Sequence, residues 1–256
     1  MFLKLLKYDL KSMLKTMIPL WIALIAISAI MGIQIYLTGD DYVIMGFFQM
    51  GSNLLIIGFI ALFIAVVVLN ILIIIQRFWN GLLKEEGYLM FTLPVSQRKL
   101  ILSKAVSALL ISLGSILAVA ICIFIVMESV LLLEQSDAMM FTMRMIFESV
   151  QKIDAIDIAF AVLLGILESA SSIYHVYAAM AIGHLSNKNR FLCSFGAYIV
   201  ISIVLNVVIA PIQDHFITDA SAFRMDMVVS LVILTIEVLI FHVITELILT
   251  YRLNLE

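Results

Sequence analysis

Six apolar runs follow one another along the chain with only short polar breaks between them: 17–37, 53–75, 100–127, 156–182, 191–210 and 227–250. A helical crossing of a bilayer takes about 20 predominantly apolar residues, because no water is available there and every backbone N–H and C=O must bond within the helix. Six such crossings in 256 residues leave no space for a sizeable soluble domain. Composition agrees, with 64% hydrophobic and 13% charged residues where soluble domains average roughly half and a quarter. The expected fold class is therefore all-α, a polytopic membrane protein with six transmembrane helices in a single transmembrane domain over 1–256. Each crossing is expected to run without a proline break.

Ahead of the first run, residues 1–16 place Lys4, Lys7, Lys11 and Lys15 on one helical face. Leu3, Leu6, Leu10, Met13, Leu14 and Met17 fall on the other. This pattern predicts an amphipathic N-terminal interfacial helix on the anionic cytoplasmic leaflet. The first apolar run is long and lacks a small-residue cleavage pattern, so it is expected to remain as an anchor. Twelve of the fifteen Lys and Arg residues lie in segments that share a side with the amino terminus, and only Arg144, Lys152 and Arg224 lie opposite. That bias predicts cytoplasmic termini. In the external loop, 128–155, Met139, Met143, Ile146, Phe147, Val150 and Ile153 recur at helical spacing and predict a second amphipathic helix.

The cytoplasmic segment 77–99 is the longest basic interruption. Within it 81–91 can form a short helix, with Gly87 allowing a bend. Pro94 ends that element, and Ser96 is placed to cap the next helix. The run Lys84-Glu85-Glu86-Gly87-Tyr88-Leu89-Met90-Phe91-Thr92-Leu93-Pro94-Val95-Ser96, with Ser103-Lys104 after it, resembles the E-G-Y-L-x-x-x-L-P-V-S and S-K pattern of the ABC-2 type transporter permease family. The likeness is specific over 84–104; elsewhere it extends to topology and hydropathy only. It implies that the segment is a coupling helix seated in a groove of a separate ABC ATPase subunit. Glu85, Glu86, Tyr88 and Phe91 would then make the contact, the acids pairing with basic groups and the aromatics filling a pocket.

Ionisable groups inside a membrane are expensive and point to function by default. In the fourth run Glu168, Ser171, Ser172 and His175 share a face, and the same helix carries Ala161, Gly165, Ser169, Ala179 and Gly183, small residues that permit close helix approach. Glu168 either lines a pathway for a cationic or amphipathic cargo or is a protonated group bonded to a neighbouring helix. The sixth run carries Glu237, His242 and Glu246, with Glu246 expected to pair with Arg252 or His242 rather than hold a metal. Asn70 and Asn206 are expected to bond between helices. Cys122 and Cys193 read as buried or interfacial thiols with neither metal nor disulfide spacing.

The possible-pathway residues are thus Glu168, Ser172, His175 and Glu237, with no catalytic and no metal residues assigned. No G-x-x-x-x-G-K-[ST] phosphate loop occurs, so ATP and Mg would be bound by the partner ATPase and the chain itself needs no cofactor. An intramembrane hydrolase is disfavoured by the lack of H-E-x-x-H and of a nucleophile with a paired base. The resemblance implies the permease subunit of an ATP-driven exporter in a bacterial cell membrane. Its partners would be the ATPase, a second permease copy or a related permease, and lipid, with no nucleic acid. The alternatives are a proton-coupled carrier using Glu168 and His175, and a membrane scaffold that moves nothing.

Overall fold

The computed structural model of the protein describes residues 2–37, 42–83, 87, 96–131, 145, 154–186, 189–216 and 223–251. Among them are α1 (Phe2–Leu37), α2 (Tyr42–Phe78), α3 (Gln97–Leu131), α4 (Ala155–Gly183), α5 (Arg190–Phe216) and α6 (Phe223–Tyr251), with one π-helical turn, Trp79–Leu83, continuing α2. No strand occurs among the described residues. Each of the six helices carries a stretch long and apolar enough to cross a membrane. The outward side chains are those of a lipid-facing surface: Leu54, Phe124, Val207 and Leu239 are each more than half exposed. In water such faces would associate, whereas hydrocarbon solvates them. The chain is an all-helical, multi-pass membrane protein.

Several boundaries differ from expectation. Pro19 lies inside α1 and Pro211 inside α5, so proline neither spares the first crossing nor ends the fifth. Each ring removes one backbone donor, but the remaining bonds of a long apolar helix carry the turn through. The basic amphipathic stretch and the first crossing form one uninterrupted helix. On it Lys4, Lys7, Lys11 and Lys15 are exposed while Asp9, Met13 and Met17 are buried at four-residue spacing, and Leu3, assigned to the apolar face, is exposed. The expected external amphipathic helix falls, apart from Met145 and Asp154, outside the described residues.

The chain divides into two compact units. The unit made of Ser12–Ile71 and Ile111–Asp154 is packed from α1, α2 and α3. Leu24, Val66 and Cys122 form its buried centre, flanked by Leu20, Trp21, Ile25, Phe59, Leu62 and Val119. Polar groups here bond across helices: the Trp21 indole donates to Ser115 Oγ at 3.1 Å, and Asn70 Nδ2 lies 3.5 Å from Ser112 Oγ. The interhelical bond expected for Asn70 is therefore present, at the long end of the range.

The unit made of Met1–Lys11, Leu72–Leu110 and Ala155–Glu256 contains α4, α5 and α6 with the ends of α1, α2 and α3. Phe78 stacks on Tyr177 with ring centroids 4.1 Å apart, and both are fully buried. The helices α4 and α6 are in extensive contact, and a nearly constant sequence offset ties them: Asp157 to Arg224, Ser171 to Glu237 and Tyr174 to His242. Such a ladder requires the two helices to run parallel and in register, with α5 returning the chain between them. The turn into α5 is tight. A Cβ on Gly183 would stand 2.2 Å from the Ser194 backbone nitrogen, so only glycine permits this approach. By contrast Gly165, read as another close-packing residue, has nothing within 4 Å of its Cβ position.

Candidate functional site

Eight polar or ionisable side chains of α4, α5 and α6 line a partly open groove of about 390 Å³. From α4 come Glu168, Ser171, Ser172 and His175; from α5 Tyr198, Ser202, Leu205, Asn206 and Ile209; from α6 Leu234 and Glu237. The spacing explains the convergence, since 168, 171, 172 and 175 lie on one helical face, as do 198, 202, 205, 206 and 209. Glu168 lies 13 residues from the start of α4 and 15 from its end, and Glu237 lies 14 from either end of α6. At 1.5 Å per residue both sit about 20 Å from the helix ends, near the middle of a bilayer.

All four possible-pathway residues, Glu168, Ser172, His175 and Glu237, line this groove. Sequence reasoning assigned the first three to one face and named Glu237 with them as an intramembrane acid, without the register between the fourth and sixth helices that sets it opposite Ser171. It missed the contribution of α5 altogether. Asn206, expected to bond across helices, instead donates from Nδ2 to the Ser202 carbonyl of its own helix at 2.8 Å, because it faces the groove rather than a neighbour.

The hydrogen bonds leave the groove rich in acceptors. Ser171 donates its hydroxyl proton to Glu237 Oε2 at 2.6 Å. Ser202 donates to the Tyr198 carbonyl at 2.8 Å, as a hydroxyl in an apolar helix commonly does. What Ser171 and Ser202 have left to offer are lone pairs, beside the carboxylate oxygens of Glu168 and Glu237. The His175 ring is held between Tyr198 and Phe241, with centroids 4.4 and 5.4 Å away and nearly parallel planes, so only its edge is free to act. Among the described residues no Lys or Arg lines the groove.

A second charged cluster lies where α1, α2 and α3 contribute to the same unit. Asp9 Oδ2 is 3.5 Å from Lys104 Nζ, and Asp9 Oδ1 is 3.9 Å from an Arg77 nitrogen. The Lys104 side chain is 3% exposed and that of Asp9 6%, so this is a buried pair. Gly81, in the π turn, makes room for it: a Cβ there would stand 2.5 Å from the Lys104 ammonium. Asp9 was not singled out in the sequence, where it reads as one acid among surface lysines.

The flanks of the segment expected to couple are both fixed. Gly81, Leu82 and Leu83 are buried on one side, and Leu100, Ile101, Ser103, Lys104 and Ala105 on the other. Ser96 occupies the N-cap position of α3, its carbonyl accepting from the Lys99 N–H at 2.9 Å. Gly87 is also buried, and a Cβ there would meet the Leu82 carbonyl oxygen at 2.5 Å. Glu85, Glu86, Tyr88 and Phe91 lie outside the described residues.

Glu246 pairs with Arg98 at the start of α3, a partner the sequence did not suggest. Gln97 also accepts from Thr250, and the two contacts bring the start of α3 against the end of α6. Arg252 lies outside the described residues. Among the described residues no three His, Cys, Asp or Glu side chains converge to hold a metal ion. Cys122 is buried and Cys193 exposed, both as free thiols. No protein-family model, no curated protein and no solved structure matches the chain.

Proposed function

We propose that the chain is the permease subunit of an ATP-driven exporter of the ABC-2 type, set in a bacterial plasma membrane with both termini cytoplasmic. A separate ATPase would bind ATP and Mg and push on the segment between α2 and α3. Two such bundles, identical or related, would enclose the path of the cargo. The observation that carries this reading is the anchoring of that segment. A lever transmits force only if its ends are fixed, and here the run resembling the ABC-2 pattern lies between the buried π turn and the buried start of α3. Its Ser103-Lys104 element supplies the ammonium that reaches Asp9.

The test is co-purification. Changing Glu85 and Glu86 together to Lys should lower recovery of an ATP-binding subunit by about tenfold, the loss of about 1.4 kcal/mol of contact energy, while the permease still elutes as a folded species. Undiminished recovery would reject the coupling assignment.

The groove favours one second reading, a proton-coupled carrier using Glu168 and His175. Reconstituted alone, a carrier would move cargo in response to an imposed proton gradient, whereas the permease would remain silent until its ATPase was added.

A further inference from the structure

Two carboxylates near the middle of a membrane, in a groove whose described lining holds one histidine edge but no Lys or Arg, call for a positive guest. Elsewhere in this unit, each ion pair among the described residues joins acid to base: Asp9 with Lys104 and Arg77, Asp157 with Arg224, Glu246 with Arg98. Glu168 and Glu237 have no Lys or Arg partner among the described residues, and a charge left uncompensated at this depth is strongly unfavourable. The hydrogen-bond pattern adds an independent indication. The hydroxyl protons of Ser171 and Ser202 and one amide proton of Asn206 are already committed, so these groups face a ligand mainly as acceptors beside the two carboxylates.

We infer that the groove between α4, α5 and α6 binds an amphiphilic organic cation, whose charge is met by Glu168 and Glu237 and whose hydrocarbon part lies on Leu205, Ile209 and Leu234. The size fits, since about 390 Å³ falls within the range of small-molecule pockets. The absence of three convergent metal-ligating side chains among the described residues argues for a bulky cation over a bare metal ion. Tyr198 adds an aromatic ring to the lining, the kind of surface on which alkylammonium and phosphonium ions rest. As a statement about cargo this rests on the permease reading proposed above; as a statement about binding it concerns the chain alone.

The experiment is equilibrium binding to the purified chain in nanodiscs of zwitterionic phosphatidylcholine, with no ATPase present. The probes are tetraphenylphosphonium and its anionic isostere tetraphenylborate. The phosphonium should bind saturably, and Glu168→Gln and Glu237→Gln should each weaken it by about tenfold. Glu128→Gln on α3, outside the groove lining, should leave binding unchanged. Ile209→Trp, which fills the apolar wall, should weaken binding while keeping the carboxylates. Thermal midpoints in the same nanodiscs identify any variant that fails to fold. No saturable phosphonium binding, equal binding of the borate, or full affinity in both Gln variants would overturn the inference. Failure of the ATPase co-purification would leave this result standing, and absence of phosphonium binding would leave the ATPase partnership intact, so the two ideas fail separately.

Discussion

Two clusters of charge in the same unit contrast sharply. Around Asp9, acid and base are brought together and sealed: Lys104 and Asp9 are almost wholly buried, and Arg77 stands close by. Around Glu168 and Glu237, two acids are gathered with a single histidine and no Lys or Arg among the described lining, and Ser171 donates its hydroxyl to Glu237. A closed pair of this kind serves structure, since removing one member strands the other in a medium that does not solvate it. An open set of acceptors is a poor structural device and a good receptor. If the groove binds as inferred, burial of charge does not by itself mark a functional site in this protein; a missing counter-charge does.

Stability measurements in detergent should separate the clusters. Asp9→Ala removes the carboxylate 3.5 Å from the buried Lys104 ammonium and should destabilise the protein by about 3–5 kcal/mol. A midpoint unchanged from the parent would mean that the pair is not sealed as described. Gly81→Ala introduces a methyl that the ammonium must evade, for a loss of about 1–3 kcal/mol. If Gly81→Ala were as stable as the parent, the cluster would be looser than its geometry indicates. Glu237→Ala strips the acceptor from the buried Ser171 hydroxyl and should lower stability by about 1 kcal/mol. The smallest effect belongs to Glu168→Gln, which should stay within about 0.5 kcal/mol of the parent while losing phosphonium binding. A large loss of stability there would remove the contrast, because Glu168 would then be structural too.

The membrane architecture was legible in the sequence because a bilayer imposes its thickness on each apolar run. What it obscured were features decided by single bonds. Pro211 looked like a boundary, yet one missing donor does not stop a long apolar helix, and α5 continues to Phe216. The groove was half legible. Residues 168, 171, 172 and 175 announce a common face through local periodicity, and the same signal was available at Tyr198, Ser202 and Asn206 on α5, where it was not drawn out. Glu237 was visible as an intramembrane acid, but its position opposite Ser171 depends on the register of α4 against α6, which no local pattern encodes. Asp9 was the hardest case, since its partners lie about 70 and 95 residues further along, at Arg77 and Lys104, and nothing nearby marks it as buried.

The three rungs between α4 and α6 also bear on how the groove could change shape. An ion pair, a hydrogen bond and an aromatic contact at successive depths share one register, so sliding either helix would break all three together. These helices therefore behave as a single rigid wall. Contact between α5 and α6 is much sparser than between α5 and α4, which makes that seam the yielding one. The close approach of Gly183 to Ser194 pins the amino-terminal end of α5 to α4, and the aromatic stack of Tyr198 on His175 is a second tie between the same two helices.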